Sequence, residues 1–137
     1  MTNIVNLFNF IESNRPEYKT PFNVKLIYDP ESLTKDDLNV GRDLDLRHTP
    51  ITTLPDNLTV GDILVLSYLP ITTLPDNLTV GGEIYLSNTQ ITTLPDNLNV
   101  GGNITLFDTP LSKKYSKDEI RKMIEDKGGN IEGNIYI

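Results

Sequence analysis

The stretch ITTLPDNLTVG occupies Ile51–Gly61, returns letter for letter at Ile71–Gly81, and appears once more, as ITTLPDNLNVG, at Ile91–Gly101. Aligned on valine, the units advance by 20 residues each time. Self-similarity at such a fixed short period is typical of proteins built from stacked, structurally equivalent units. We name the units coils: the first is Val40–Thr59, the second Val60–Thr79, the third Val80–Asn99, and the fourth opens at Val100.

The apolar pattern inside each coil predicts one short strand and a non-helical return. Leu44 and Leu46 lie two residues apart, as do their equivalents in later coils, and a period of two marks a strand. Pro55 excludes a regular helix interior from the return path. The glycine after each valine, such as Gly61, is expected to let the chain turn back into the next strand. Stacked coils place these strands parallel, about 4.8 Å apart.

The segment LDLRHTPITTLPDNL resembles the leucine-rich repeat, LxxLxLxxNxL. Leu44, Leu46, Thr49 and Ile51 fall on its second, third, asparagine and fourth consensus positions, and the resemblance covers about Val24 to Leu111. Glycine replaces the first leucine of the consensus. The consensus asparagine is replaced at four positions, Thr49, Leu69, Thr89 and Thr109. A threonine hydroxyl can bond the backbone of a neighbouring coil but a leucine cannot, so a hydroxyl ladder with one gap is expected.

The short unit with Leu-Pro in its return path is similar to the bacterial and bacteriophage subclass of these repeats. That subclass includes secreted bacterial effectors and many small phage-encoded proteins. The resemblance therefore implies a protein-binding scaffold and suggests a phage origin.

Both ends of the chain are predicted to cover the stack. At the N-terminus, Ile4, Leu7, Phe8 and Ile11 fall on one face of a helix. A degenerate repeat is expected after it, with Val24–Tyr28 as its strand. The predicted fold is a short leucine-rich-repeat solenoid of one domain, 1–137, with a parallel β-sheet on one face and non-helical returns. Its parts are an N-terminal helical cap (1–23), the repeats (24–111) and a C-terminal helix-plus-strand cap (112–137).

The C-terminal cap has two signals. Ser116–Glu119 reads SKDE, a capping box that predicts a helix running to about Lys127 and ending at Gly128–Gly129. The last five residues, GNIYI, echo GNITL at Gly102–Leu106 and predict a final strand that extends the sheet.

Composition excludes several function classes. The net charge is −7 and cysteine is absent, so binding to nucleic-acid phosphates, disulfides and thiolate chemistry are not expected. The N-terminus lacks the basic segment and apolar run of a secretory signal, and no segment is apolar enough to span a membrane. The expected setting is the cytoplasm, that of a host cell if the protein is phage-encoded, with no membrane partner.

Catalytic and metal sites are not expected. His48 is the single histidine, and with Asp43 and Asp45 it offers too few metal ligands and no nucleophile. The favoured interpretation is a solvated, salt-bridged first coil. Asp56, Asp76 and Asp96 recur inside LPDNL and are interpreted as turn formers that bond their own backbone, rather than as a calcium ladder. No enzyme activity, cofactor or metal is predicted.

The predicted function rests on the positions where the coils differ, since the repeated phrase serves as scaffold. Exposed apolar and aromatic residues ringed by charge are typical of a protein-binding surface. The predicted partner-binding residues are Asp43, Asp45, Arg47, His48, Ile63, Val65, Tyr68, Leu69, Glu83, Tyr85, Asn88, Phe107 and Asp108.

The function expected from this surface is non-catalytic binding of a host protein, inhibiting or redirecting it, for example an antiviral defence factor. Two alternatives remain. One is an acidic DNA mimic that contacts its target through Asp56, Asp76 and Asp96. The other is a structural protein that associates with itself.

Overall fold

The computed structural model describes residues 20–137 and divides the chain into two compact units, 1–38 and 39–137. The described part of the first unit holds helix α1 (Phe22–Tyr28) and a 3₁₀-helix (Pro30–Ser32). The prediction of a strand at Val24–Tyr28 is therefore wrong. The Pro21 carbonyl accepts the N–H groups of Val24 and Lys25, both at 3.1 Å, which begins a helical turn instead. The predicted cap residues Ile4, Leu7, Phe8 and Ile11 lie outside the described residues.

The second unit is a β-solenoid with two parallel sheets, where the sequence predicted one. The first sheet has the order β1-β3-β5-β7-β9, formed by Asn39–Val40, Thr59–Val60, Thr79–Val80, Asn99–Val100 and Asn130–Ile131. The second has the order β2-β4-β6-β8-β10, formed in that order by Leu44–Asp45, Leu64–Val65, Ile84–Tyr85, Ile104–Thr105 and Ile135–Tyr136. The residue pairs before each glycine supply the additional sheet.

The register confirms the period. Leu44 pairs with Leu64, Leu64 with Ile84, and Ile84 with Ile104, each 20 residues further along. The non-helical returns are also confirmed, since no helix lies between β1 and β8. The core is a stack of equivalent apolar side chains, fully buried at Leu46, Leu58, Leu64, Leu66, Ile71, Leu78, Ile84, Leu86, Ile91, Leu98, Ile104 and Leu106.

The glycines after Val60, Val80 and Val100 are needed for close approach between coils, not for turning the chain. Among the described residues, Gly128 is the one glycine with a positive φ, +81°. A Cβ on Gly81 would lie 2.3 Å from the carbonyl oxygen of Gly61, and a Cβ on Gly101 would lie 2.3 Å from that of Gly81. The expectation that these glycines provide conformational freedom is therefore wrong. They let one backbone rest directly on the next.

The other edge of each coil, where the LPDNL segments turn, carries two side-chain ladders; we call it the turn edge, formed by Asp56, Asn57, Asp76, Asn77, Asp96 and Asn97. Asn77 Nδ2 donates to Asn57 Oδ1, and Asn97 Nδ2 to Asn77 Oδ1, both at 2.8 Å. Asp56 Oδ1 accepts the N–H of Asp76 at 2.9 Å. The aspartates thus bond the next coil's backbone, not their own as predicted.

The C-terminal cap contains two helices, α2 (Pro110–Lys114) and α3 (Lys117–Asp126). The predicted capping box is confirmed: Ser116 accepts from the Glu119 N–H at 3.2 Å, and Glu119 Oε1 accepts from the Ser116 N–H at 3.1 Å. The final strand is confirmed as well, because Ile135 pairs with Ile104 and Tyr136 with Thr105. Helix α2 has no counterpart in the sequence prediction.

Arg121 of α3 ends the first sheet. Its guanidinium donates to the carbonyl oxygens of Ile131 at 3.2 Å and Gly133 at 2.8 Å. In earlier coils the equivalent acceptors, Val100 and Gly102, receive backbone N–H groups of the following coil. One side chain therefore supplies the donors that a further coil would have supplied.

Candidate protein-binding face

The coils differ along the outer surface of the second sheet and the turn that follows it; we call this surface the variable face. Its central row contains Asp45, Val65, Tyr85 and Thr105, which the strand register places side by side. Their side chains point outward because each follows a buried residue on a two-residue strand. The strand register therefore aligns these four positions across the coils.

Tyr136 extends this row by one position, because it pairs with Thr105. It is 39% exposed. The prediction of partner-binding residues did not include it, although the echo of GNITL in GNIYI placed a residue there. With Tyr85 it gives the row two tyrosines, separated by the threonine.

A second row follows in the turn, and its backbone is unusual. His48, Tyr68, Asn88 and Asp108 all have positive φ, between 56° and 67°. Histidine, asparagine and aspartate are enriched in this left-handed region, whereas a bulky residue is an outlier there. The turns are stacked, since the N–H of Tyr68 donates to the Ser87 carbonyl at 3.1 Å and that of Asn88 to the Phe107 carbonyl at 2.9 Å. Tyr68 is thus held in a backbone conformation that suits the histidine, asparagine and aspartate at the equivalent positions better than it suits tyrosine.

The most exposed large apolar side chains of the variable face are aromatic. Tyr68 is 74% exposed and Phe107 is 48% exposed. Three other side chains of this face are half-buried: Ile63, Val65 and Tyr85. Two aromatic rings therefore project from the second and fourth coils above a flatter, partly apolar surface.

Leu69 does not belong to the exposed surface. It is 3% exposed and packs in the core, so the prediction that it contributes to partner binding is wrong. The left-handed backbone at Tyr68 turns the next residue inward, and the equivalent Thr89 and Thr109 are fully buried. Ser67, two residues earlier, is buried too.

The predicted threonine hydroxyls do not form a ladder between coils. Thr49 Oγ1 donates to the carbonyl of Leu46 and Thr89 Oγ1 to that of Leu86, both at 2.7 Å, within their own coils. Thr109 does the same with Leu106 at 2.9 Å. Leu69 leaves the second coil without this bond, so the predicted gap is real although the ladder is not. The turn of the second coil thus lacks the side-chain hydrogen bond that the other three coils have.

At the end of the face in the first coil, charge is paired locally. Arg47 donates Nη2 to Asp45 Oδ2 at 2.6 Å and Nε to Asp45 Oδ1 at 3.0 Å. These bonds lower the pKa of Asp45 below its ordinary value and raise that of Arg47. Asp43 Oδ1 accepts the N–H of Ile63 at 2.9 Å, and His48 is exposed. The first coil is therefore solvated and salt-bridged, as predicted.

In the third coil, Glu83 organises a small polar cluster. The Tyr85 hydroxyl donates to Glu83 Oε2, and Asn103 Nδ2 donates to Glu83 Oε1 at 3.0 Å. The bond to Glu83 raises the pKa of Tyr85, because ionisation would place a phenolate beside a carboxylate. The two bonds join Tyr85 of the central row to the Glu83 carboxylate, and neither donor is a cation.

Residues 20–137 also bear on two other classes of site, metal centres and membrane-spanning helices. Among residues 20–137, no three or more histidine, aspartate or glutamate side chains are grouped to hold a metal ion. No helix within the same residues has the length and apolar run needed to cross a bilayer. A shallow cleft of about 260 Å³ lies between α3 and β10, lined by Lys117, Asp118, Arg121, Asn134, Ile135 and Tyr136.

The variable face is thus an open surface with two projecting aromatic rings, a paired charge at one end and a polar cluster in its middle. Exposed aromatic rings among charged residues are features that protein-contact surfaces also have. Comparison with models of protein families, with curated proteins and with solved structures found no match to the chain.

Proposed function

We propose that the chain is a non-catalytic protein-binding module that contacts its partner with the variable face. The observation that carries the proposal is the placement of Tyr68. It combines the highest exposure among the described large apolar side chains, 74%, with a φ of 67°. An exposed aromatic in a strained conformation contributes little to the stability of this fold.

The same left-handed turn position is occupied by different residues in different coils, and their conformational costs differ. A bulky residue in the left-handed region costs about 1 kcal/mol or more, whereas asparagine, which the third coil uses at position 88, tolerates it. Tyr68 buries little surface that could offset this cost. Strained residues of this kind cluster at binding sites, where the displayed side chain serves another molecule. Tyrosine is also enriched among the anchors that dominate binding energy.

The rest of the unit supports the proposal by acting as a rigid scaffold. The residues of the repeated phrase are used between coils: leucines in the core, asparagines in the turn-edge ladder, and glycines at the close approach. The variable positions are free of these roles and can be chosen for a partner. Rigid surfaces lose little entropy on association, which favours affinity.

The narrower identity is part of the same proposal and rests on the repeat pattern. We propose a leucine-rich-repeat protein of the short bacteriophage type, working in the host cytoplasm. Its target would be a host protein, such as an antiviral defence factor, that it inhibits or redirects. The resemblance of the repeats to that subclass supports this role by analogy.

The test compares a single variant on the variable face with a triple variant on the turn edge. Immobilised protein is exposed to soluble bacterial extract, and captured proteins are identified by mass spectrometry. Tyr68→Asn is expected to lose the captured partner while raising the melting temperature. Asp56→Asn, Asp76→Asn and Asp96→Asn combined keep the turn-edge oxygens as acceptors but remove three charges. This triple variant is expected to retain the partner.

The opposite pattern would favour the alternative. Loss of the partner in the triple asparagine variant, with Tyr68→Asn unaffected, points to the acidic DNA mimic instead. Oligomers that grow with protein concentration in light scattering, together with no captured partner, point to a self-associating protein.

A further inference from the structure

We infer that the variable face receives a cationic, arginine-rich segment of its partner, in extended conformation across the second to fourth coils. This inference rests on the proposed function and specifies the partner's chemistry. Three observations carry it: the charge of the central coils, the position of the acids beside the aromatic rings, and the spacing of the coils.

The central coils are acidic without any basic residue. Between Arg47 and Lys113 the sequence has no lysine or arginine, and its six acids are Asp56, Asp62, Asp76, Glu83, Asp96 and Asp108. The nearest arginine, Arg47, is already bound through two nitrogens to Asp45. A partner therefore meets a field of one sign, which attracts cations and repels acidic surfaces.

On the variable face the acids lie beside the aromatic rings. Asp108 follows the exposed Phe107 and is itself exposed. Glu83 Oε2 accepts a hydrogen bond from the Tyr85 hydroxyl. A cation above an aromatic face is attracted by the ring, and a neighbouring carboxylate adds to this attraction. Arginine suits such a site better than lysine, because its planar guanidinium stacks on rings and bonds carboxylates through two nitrogens.

The spacing of the coils matches an extended chain. Tyr68, Asn88 and Asp108 occupy equivalent turn positions in three successive coils, so Tyr68 and Asp108 are separated by two coil steps, about 10 Å. An extended peptide in the polyproline II conformation advances about 3.1 Å per residue with three residues per turn, so side chains three residues apart lie on one face and span nearly the same distance. One arginine can therefore lie against Tyr68 while a second reaches Asp108.

A second copy of the protein is the rival occupant, because residues 110–124 hold five basic residues against two acids. Several of these cations already have partners within their own chain. Lys122 bonds Asp126 at 3.2 Å, and Lys114 lies 5.3 Å from the centroid of the Tyr115 ring. The observations therefore favour a different protein as the source of the cations.

The probe is an end-blocked hexa-arginine peptide, with hexa-lysine and hexa-glutamate as comparisons. Titration of the isotope-labelled full chain, followed by amide NMR shifts, is expected to place the shifts around residues 68, 85, 88, 107 and 108. Hexa-arginine should bind more tightly than hexa-lysine, and hexa-glutamate should produce no shifts.

Matched variants separate a built site from general charge attraction. Asp108→Asn on the variable face and Asp96→Asn on the turn edge remove the same charge at positions where asparagine keeps the shape and tolerates the backbone. We expect Asp108→Asn and Tyr68→Asn each to weaken hexa-arginine binding about two- to fivefold, the range expected of one exposed cation contact. Asp96→Asn should change it by less than that.

Three outcomes would overturn the inference. Equal weakening by Asp108→Asn and Asp96→Asn, with no effect of Tyr68→Asn, means that net charge alone attracts the peptide. Absence of hexa-arginine binding, while capture from extract still requires Tyr68, leaves the proposed function standing and rejects the cationic partner. A dimer in sedimentation that is held through the variable face and dissociated by hexa-arginine identifies a second copy as the occupant.

Discussion

Gly81→Ala tests the claim that coils rest backbone on backbone. The added Cβ would lie 2.3 Å from the Gly61 carbonyl oxygen, whereas ordinary van der Waals contact begins at 3.4 Å. The two coils must therefore separate locally by about 1 Å, and the atom that resists is backbone, which cannot rotate away. Gly41→Ala is the matched control, because its Cβ meets nothing within 4 Å.

The expected loss follows from the hydrogen bonds beside the contact. Gly81 N–H donates to the Val60 carbonyl at 2.8 Å, and Gly82 N–H to the Asp62 carbonyl at 2.9 Å. Lengthening both by about 1 Å takes them out of hydrogen-bonding range. At about 1 kcal/mol net for each bond, the stability loss is about 2 kcal/mol, which agrees with the usual cost of overpacking a core.

The Gly41→Ala control separates the steric effect from a change in the unfolded chain. Replacing glycine by alanine stabilises by about 0.4–1 kcal/mol through the unfolded chain, and this contribution is the same at both sites. Gly41→Ala is therefore expected to be neutral or slightly stabilising. The difference between the two variants isolates the steric effect, about 2 kcal/mol, or roughly 6–10 °C in melting temperature for a chain of this size.

The assay is thermal and urea unfolding of both variants, followed by circular dichroism. Equal midpoints for Gly81→Ala and Gly41→Ala would refute the reasoning, since the coils would then be loose enough to admit a methyl group. A crystal structure of Gly81→Ala should show the second and third coils further apart at this glycine and unchanged at the turn edge.

Three further perturbations have expected outcomes. Asn77→Ala breaks two ladder bonds and places alanine at a φ of 59°, so unfolding free energy should fall by about 1–3 kcal/mol, whereas Asn77→Gly, which suits that φ, should lose less. Arg121→Ala leaves the Ile131 and Gly133 carbonyls without their side-chain donor and should speed amide exchange in the last coil, more than Arg121→Lys does. The pKa of Asp45 is lowered on folding, so the contribution of its ion pair to folding stability is present above pH 4 and lost as pH falls through the lowered pKa. Asp45→Asn should therefore lower the free energy of unfolding by under 1 kcal/mol at pH 7, because the pair is exposed. In strong acid the variant should be as stable as the parent protein.

The sequence predicted the stacking because its signals were periodic. A 20-residue repeat with alternating leucines determines both the direction of stacking and the register, and the capping box at Ser116 determines where α3 begins. The first sheet was missed for a physical reason. Each of its strands has two residues, such as Thr59–Val60, and in the repeats a glycine follows, so no alternation is long enough to read.

Two errors on the variable face have a common origin in turn geometry. Leu69 was expected at the surface because an apolar residue replaced threonine there. The left-handed φ of the preceding tyrosine, which sequence alone does not reveal, directs that position into the core. Tyr136 was overlooked because its strand is separated from β8 by helices α2 and α3, which hid its place in the same row.

The sameness of the coils makes the length of this protein an adjustable quantity. Removing Val60–Thr79 would join Thr59 to Val80, and every core leucine, ladder asparagine and contact glycine would meet an equivalent neighbour. The C-terminal cap, with Arg121 closing the last coil, would sit on the shortened stack unchanged. Gain or loss of one unit in the coding sequence would therefore lengthen or shorten the surface offered to a partner by about 4.8 Å, without a new fold having to arise.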